Sequence, residues 1–406
     1  MARPADKSTA LWVLRQLRRA GFTGLLAGGC VRDMLLGQRP SDYDVATDAT
    51  PQQVRRLFRR VLLVGARFGV AIVVRRGRHV EVATFRSDVS YSDGRRPDAV
   101  RFSSAREDAL RRDFTINGMF HDPLTDRVID YVGGRKDLTD GVIRTIGKPD
   151  DRFREDYLRL IRAVRFAARF RFRLDRATAA AIRKHARKIC GVSGERIFDE
   201  LSKILARRSG AEGLRACHSL GLARPILPEL FRSPESWGRA MDRVESVAAG
   251  KDTLLALGAL LADLLRADIR KIVRRWGASN AISEALCFFS AHLQDWPVAA
   301  ALPLCDFKRL LGGEHFGRLL KLWRFEERKA TGRVVQSRRI TRRARGIPED
   351  RIAPAPFVTG ADLLALGMTE GPALGRILHA LYDAQLNEEL RTRSAALREA
   401  HRLMAE

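Results

Sequence analysis

Residues 27–47, AGGCVRDMLLGQRPSDYDVAT, hold a glycine pair, an Arg-Asp pair and two aspartates, Asp42 and Asp44. The local pattern reads as a short strand, LLAGG, a helix, VRDMLLG, closed by Gly37, and a second strand, YDVAT. Alternate residues of a strand share a face, so Asp42 and Asp44 are expected side by side, about 7 Å apart at their Cα atoms. Carboxylates that close repel one another, and a bound divalent cation removes the conflict. Mg2+ suits this chemistry, because it prefers carboxylate oxygens and keeps positions for water and phosphate. Taken singly, each aspartate reads equally well as a turn residue. The pair acquires meaning only if other parts of the chain call for it.

The flanks supply a mixed α and β setting. Leu11, Leu14 and Leu17 recur at helical spacing, and Gly21 suits the helix end. Thr50-Pro51 offers an N-cap and first-turn proline for a helix through about Arg59. GVAIVVRRGRHVEVATF, residues 69–85, alternates around Gly77 and predicts a hairpin. Within it Glu81 lies between Val80 and Val82, either the exposed half of the alternation or a third acidic ligand. Gly28-Gly29 joins a strand to a helix, where backbone N–H groups can approach phosphate, although a plain turn uses the same residues. Arg32, one turn into that helix, could reach a triphosphate or pair with Asp33.

Beyond Asp151 the pattern becomes helical, with REDYLRLIRAVRFAARF, ATAAAIRKHARKI and ERIFDELSKILARR following one another. RRDFTINGMF, residues 111–120, offers Arg111, Arg112, Asp113 and Asn117 as a clamp for phosphate or ribose, or as a helix cap. At ~100° per residue, Glu155, Arg159, Arg162, Arg165 and Arg169 share one arc of a continuous helix, and Leu160, Ile161, Val164, Ala167 and Ala168 share the other. A solvated face held by pairs such as Glu155–Arg159 would look the same. A break is expected near residues 338–356, where RRITRRARG precedes PEDRIAPAP, and amphipathic helix resumes from Gly360.

Bulk composition narrows the partners. Among 406 residues, 74 Lys and Arg face 48 Asp and Glu, a net charge of +26, while 45% hydrophobic content argues against wholesale disorder. Such an excess of positive charge fits a polyanion, of which nucleic acid is the usual one. Five scattered cysteines without a CxxC argue against a disulfide framework and against a zinc site. The N-terminus lacks a signal-peptide core and no stretch has membrane-spanning length, so a soluble, cytoplasmic protein is expected.

GGCVRD, DYD, VEVATFR, YSDGRRPDAV, RRDFTIN, EDYLRLIRAVRFAAR and ERIFDEL stand in one order over residues 27–205. This series resembles the class II nucleotidyltransferases, which comprise bacterial and eukaryotic CCA-adding tRNA nucleotidyltransferases and bacterial poly(A) polymerases. The resemblance implies that Asp42 and Asp44 hold catalytic Mg2+, with Glu81 as third carboxylate. It implies that Gly28, Gly29 and Arg32 cradle a triphosphate, and that Arg112, Asp113 and Asn117 fix ribose and phosphates. It further assigns base selection to Glu155, Asp156 and Arg159, with Arg162 and Arg165 completing the nucleotide pocket. An Asp carboxylate only accepts and an Arg guanidinium only donates, a pair that suits cytosine and adenine and leaves uracil and guanine mismatched. Residues 88–100, with Asp93, Gly94, Arg95 and Arg96, resemble the flexible loop of enzymes that add the terminal A.

The fold class implied is α+β: an N-terminal nucleotidyltransferase head with a small mixed β-sheet, followed by all-helical neck, body and tail. The expected divisions are 1–150, 151–215, 216–335 and 336–406. The expected activity is template-independent addition of CCA, or its terminal A, to the 3′ end of tRNA from CTP and ATP. TGADLLALGMTEGPALGRILHALYDA, residues 359–384, resembles the C-terminal segment of longer CCA-adding enzymes and favours tRNA. Poly(A) synthesis is the alternative, since DYDVATDATPQQVRRLF resembles that branch equally. A non-catalytic RNA-binding protein on the same fold would have lost an acid, and all three acids stand. Ala262-Asp263 occupies the place of a His-Asp pair, so no phosphohydrolase activity is expected.

Overall fold

In this computed structural model, which describes residues 3–4, 6–65, 68–88, 100–247 and 251–405, apolar side chains three and four apart wind Lys7–Arg19 into α1. Asp6 caps it, accepting from the Thr9 N–H, and Ala10, Val13, Leu14 and Leu17 are fully buried on one face. That face lies against a sheet whose strands are β1 (Arg3–Pro4), β2 (Gly24–Ala27), β3 (Val45–Thr47), β4 (Val61–Gly65), β5 (Val70–Arg75), β6 (Arg78–Thr84), β9 (Met119–Asp122) and β10 (Arg127–Asp130). A separate antiparallel pair joins β7 (Arg86–Asp88) to β8 (Val100–Phe102). The main order is β10-β9-β2-β3-β6-β5-β4, with β1 parallel to the start of β6.

The sheet is mixed. β2 runs antiparallel to both β3 and β9, whereas β3 and β6 are parallel, with Val45 opposite Val82. The hairpin around Gly77 forms as expected, with Arg76 and Gly77 both at positive φ. Thr50 and Gln53 close a capping box on α3 (Pro51–Leu57), which ends two residues short of the expected boundary. Helices α2 (Gly29–Leu35), α4 (Ala105–Leu110) and α5 (Gly134–Thr139) complete the α+β region.

Three expectations need correction. The strand drawn as YDVAT starts at Val45, so Asp42 and Asp44 lie on the segment leading into β3 and not within it. Only the Asp44 carbonyl continues the ladder, accepting from the Ala27 N–H. The long helix expected over 154–170 is two: α6 (Pro149–Glu155) and α7 (Leu158–Phe170). Asp156 adopts an extended backbone between them, and its Oδ1 accepts the Leu158 N–H, so the side chain starts a new helix at the cost of the old one. The basic run expected at a break forms a helix over Gln336–Arg345.

The chain divides into two compact units, Met1–Arg232 with Arg275–Gly277, and Ser233–Arg274 with Ala278–Glu406. In the first, α8 (Arg176–His185) packs on α6, and α7 packs on α9 (Gly194–Leu205), with Leu160, Ile161 and Val164 completely buried. The second is helical throughout its described residues, with Trp323, Leu319, Leu322 and Phe289 fully buried. No helix among the described residues is long and apolar enough to cross a membrane.

Gly134 shows how tightly the first unit is closed around its functional end. A Cβ there would stand 2.2 Å from the Thr115 carbonyl oxygen, in the short 3-10 turn Thr115–Asn117. Gly134→Ala should therefore lower stability by about 1–3 kcal/mol through overpacking. Denaturant unfolding checks this, and an unchanged midpoint would rule out the close α5–turn contact.

Candidate active site

Strand direction gathers the chemistry at one end of the sheet. β2 ends where β3 and β9 begin, so Gly28, Asp44 and the Thr115–Asn117 turn meet there. Because β3 and β6 are parallel with Val45 opposite Val82, the preceding residues, Asp44 and Glu81, are neighbours. Gly28 turns the chain into α2 at φ +70, and its N–H donates to the Met119 carbonyl. A Cβ at Gly28 would lie 2.8 Å from Arg112 Nη1, so glycine is required both for the backbone conformation and for the approach of that guanidinium.

Asp44 is half-buried and its carboxyl is pushed up to about 7, first by desolvation, then by Glu81 and Asp42, against a smaller pull from Arg112. The Glu81 carboxyl is raised too, by its recessed surroundings and by Asp42, although the residue as a whole is open to solvent. Asp42 is exposed, its Oδ1 accepting from the Ser41 hydroxyl at 3.2 Å. The three acids thus share one electrostatic field. Among the described residues no group of three or more His, Cys, Asp or Glu side chains is gathered so as to hold a metal ion by itself. An open donor set of carboxylates suits Mg2+, which binds through one or two carboxylates and fills its remaining positions with water and phosphate.

A cleft of about 370 Å3 opens beside Asp44, bounded by Gly28, Gly29, Arg32, Arg112, Asp113 and Asn117 on one side and by Asp156, Arg159, Arg162 and Arg196 on the other. Asp44 also borders a second cavity of about 260 Å3 that contains Glu81. The aspartate is therefore shared by the two recesses, and Arg111 and Arg112 line both as well.

The cleft rests on a buried chain of alternating charge. Arg169 donates to Asp33 Oδ2 at 3.0 Å, and Arg32 donates to Asp33 Oδ1 at 2.6 and 2.8 Å. Arg32 Nη1 reaches Asn117 Oδ1 at 2.6 Å, and Asn117 Nδ2 passes the link to Asp113 Oδ1 at 3.0 Å. Asp113 Oδ2 accepts twice from Arg162, at 2.6 and 3.0 Å. Glu200 then joins Arg162 to Arg165. Burial pushes the Asp113 carboxyl up, but Arg162 and Asn117 outweigh it and hold the group well below the usual carboxylate range. Arg32 is 4% exposed and lies 4.8 Å from the Phe170 ring centre, so its charge is compensated on every side.

The expected residues are placed unequally. Gly28, Gly29, Arg32, Asp44, Arg112, Asp113, Asn117, Asp156, Arg159 and Arg162 all line the one cleft. Arg165 does not: it is tied to Glu200 and lies 4.0 Å from the Phe166 ring centre. Glu155 also stands outside the lining, bonded to Arg152 and Arg159. Asp156 Oδ2 accepts from Arg196 at 2.7 Å, so the carboxylate expected beside Arg159 is held by a third residue from α9. The pairing of Arg32 with Asp33 forms, and it is buried where a pair of this kind would ordinarily lie at the surface. Asp93, Gly94, Arg95 and Arg96 lie outside the described residues. Asp263, next to Ala262, is paired with Arg239 and Arg243.

Other residues of the site went unnoticed in the sequence. Asp108, 1% exposed, accepts from both Arg111 and Arg112 and holds them at the cleft. Arg152 donates to the carbonyls of Ile146, Leu110 and Arg111, fastening α6 to the end of α4. Arg196 and Glu200 stood within the ERIFDEL motif, which was the available signal. Asp108 had none, since an acid in the first turn of a helix ordinarily serves its dipole.

Comparison with known proteins bears on the family of the chain. The family described as Poly A polymerase head domain matches residues 25–144, and the one described as Probable RNA and SrmB- binding site of polymerase A matches residues 171–233. Poly(A) polymerase I of Salmonella typhi is 41% identical over 256 residues, 60% of this chain and 55% of that protein. The chain thus spans little more than half the length of such poly(A) polymerase relatives. The CCA-adding enzyme of Geobacillus thermodenitrificans is 34% identical over 395 residues, 94% of this chain and 93% of that enzyme. The crystal structure of the Bacillus stearothermophilus CCA-adding enzyme in complex with CTP superposes with a TM-score of 0.77, at 28% identity and 97% coverage of both chains. With the ordered motifs, the sheet and the full-length match in agreement, the chain belongs to the nucleotidyltransferase family of CCA-adding enzymes and bacterial poly(A) polymerases.

Proposed function

We propose that this chain adds nucleotides to the 3′ end of RNA without a template, completing CCA, or its terminal A, on tRNA from CTP and ATP. The observation that carries the reading is Asp44 standing as the common wall of the arginine-lined cleft and the cavity that holds Glu81. The cleft offers guanidinium groups for a triphosphate, and the cavity sets Glu81 beside Asp44 for a reacting hydroxyl, with Arg86, Arg111 and Arg112 also in its lining. In the proposed reaction the RNA 3′-hydroxyl gives up its proton to water, its oxygen bonds to the α-phosphorus, the bond from that phosphorus to the bridging oxygen of the β-phosphate breaks, and pyrophosphate leaves. Asp42 and Asp44, with Glu81, would hold Mg2+, which supplies charge neutralisation at the attacking and leaving oxygens. Gly28 and Gly29 bring backbone close to the triphosphate, Arg112 faces it, and Arg32 stiffens the floor beneath. Asp113 and Asn117 orient Arg162 and Arg32 for the same task. Such chemistry belongs where RNA and nucleoside triphosphates are, the cytoplasm.

Base selection is assigned to Asp156 and Arg159, which share the cleft. The grip of Arg196 on Asp156 Oδ2 and of Glu155 on Arg159 fixes both side chains before a base arrives. A base whose Watson–Crick edge reverses the donor and acceptor leaves those groups unmatched, which is the strong form of rejection. Poly(A) synthesis is the second reading, favoured by the 41% identity to poly(A) polymerase I over 60% of the chain. The match to a CCA-adding enzyme along 93% of its length includes the C-terminal helices and supports the first.

A product assay decides between them. Purified protein is offered tRNA lacking CCA, tRNA ending in CC, and an unrelated RNA, with each nucleotide, and the products are sequenced. Completion to CCA supports the proposal, and long A tails on any RNA support the second reading. In the same assay Arg159→Ala and Asp156→Asn should raise UTP and GTP incorporation relative to CTP and ATP by at least roughly tenfold. Unchanged selectivity would remove both residues from base choice.

The acid cluster makes a pH prediction. The Asp44 carboxyl is raised from 3.8 to about 7 in the fold, so the native state binds a proton that the unfolded chain has released. Metal-free stability should fall as pH rises across that window and level off above it. Thermal unfolding in chelator should show a smaller decline for Asp44→Asn, and added Mg2+ should recover wild type more than the variant. Identical pH profiles for the two proteins would exclude this role for Asp44.

A further inference from the structure

The first turns of α9, GERIFDE over residues 194–200, have two faces with different partners. At ~100° per residue Gly194 and Phe198 lie about 40° apart, Arg196 and Glu200 also lie about 40° apart, and the two pairs face about 160° away from each other. The second pair serves the cleft. Arg196 donates to Asp156 Oδ2 at 2.7 Å, and Glu200 pairs with Arg165 and, at 3.6 Å, with Arg162. The first pair leans on a piece of chain remote in sequence from every catalytic motif.

That piece is Arg275–Gly277. It belongs to the first compact unit, although Ser233–Arg274 and Ala278–Glu406 on either side of it make up the second. Trp276 is 1% exposed and stacks on the half-buried Phe198, with ring centres 5.1 Å apart and an interplanar angle of 20°. Beside the rings the backbones nearly touch. A Cβ on Gly194 would stand 1.7 Å from the Arg275 carbonyl oxygen, and one on Gly277, at φ +61, would stand 2.6 Å from Glu195 Cγ. The Arg275 guanidinium fastens the segment, donating to the two Glu229 carboxylate oxygens at 2.9 and 3.2 Å and to the Ile226 carbonyl at 3.1 Å. Packing this close fixes the place of α9 on the side away from the cleft.

We propose that Trp276 is a positioning residue for base choice: its ring seats Phe198, and α9 so seated brings Arg196 to Asp156. The inference rests on the assignment of base selection to Asp156 and Arg159, and it adds a residue that touches no nucleotide. A hydrogen bond weakens steeply as its geometry is lost, so a retreat of α9 lets the Asp156 carboxylate turn. A turning acceptor tells one base edge from another less sharply than a fixed one. The operative contact is the stack of two rings, so phenylalanine can stand in for Trp276 and alanine cannot.

The test measures equilibrium binding of ATP, CTP, UTP and GTP in Mg2+ to the full chain, beside incorporation of each into tRNA lacking CCA and tRNA ending in CC. The variants are Trp276→Ala, Trp276→Phe, Phe198→Ala, Arg196→Ala and Phe198→Ala/Arg196→Ala. Truncating a fully buried tryptophan is severe, and Phe198→Ala removes the same stack from the less buried ring. Both should lower the preference for ATP and CTP over UTP and GTP by roughly 3- to 30-fold, and Trp276→Phe should keep it. A purely structural role would lower the thermal midpoint and weaken all four nucleotides alike, with the ratio unchanged. In the Arg196→Ala background Phe198→Ala should alter the ratio by less than about twofold, because the contact through which it acts is already gone. A wild-type ratio in Phe198→Ala, or independent losses in the double variant, would overturn the inference and leave the catalytic reading intact. A wild type that discriminates among nucleotides in binding yet extends no RNA would sink the catalytic reading alone.

Discussion

Parallel pairing of β3 with β6 sets Asp44 beside Glu81, and everything else at the site follows from that juxtaposition. The fold places carboxylates where desolvation and mutual repulsion raise them, Asp44 to about 7. A structure does not retain such a cost for stability; the positions are useful only when positive charge joins them. The protein brings guanidinium groups to the cleft that this aspartate borders, and a divalent cation held by the acids would complete the neutralisation.

The arginines are held by a different device. Arg169, Asp33, Arg32, Asn117, Asp113, Arg162, Glu200 and Arg165 alternate in charge from α2 through the Thr115–Asn117 turn to α7 and α9. Asn117 is the neutral link that can accept from one cation and donate to an anion, and no other residue type of its size does both through a side-chain amide. Breaking a buried pair leaves an uncompensated charge, so the network fixes the cleft side chains in position. Preorganised guanidinium groups in a recess are what stabilisation of a charged transition state requires.

Much of this was legible in the sequence where the cause is local. Thr50-Pro51, the hairpin around Gly77 and the Gly28 turn depend on neighbours a few residues away, and each formed as read. The elements that misled owe their form to distant partners. Helical periodicity runs unbroken through EDYLRL, yet Asp156 leaves the helix because its two oxygens serve Leu158 and Arg196. The 336–345 segment is polar almost all round, which reads as a linker, but Glu327 caps it and Ile340 anchors it. Asp108 resembled an ordinary first-turn acid until the fold brought Arg111 and Arg112 back onto it.

The account turns on acids at the head of β3 serving chemistry and not structure. The most direct measurement is nucleotide incorporation into CC-ended tRNA by Asp42→Asn and Asp44→Asn, read together with binding of tRNA and ATP. Incorporation should fall by several orders of magnitude in both variants while tRNA is still bound and the proteins remain folded. Incorporation at the wild-type rate by either variant would contradict the account.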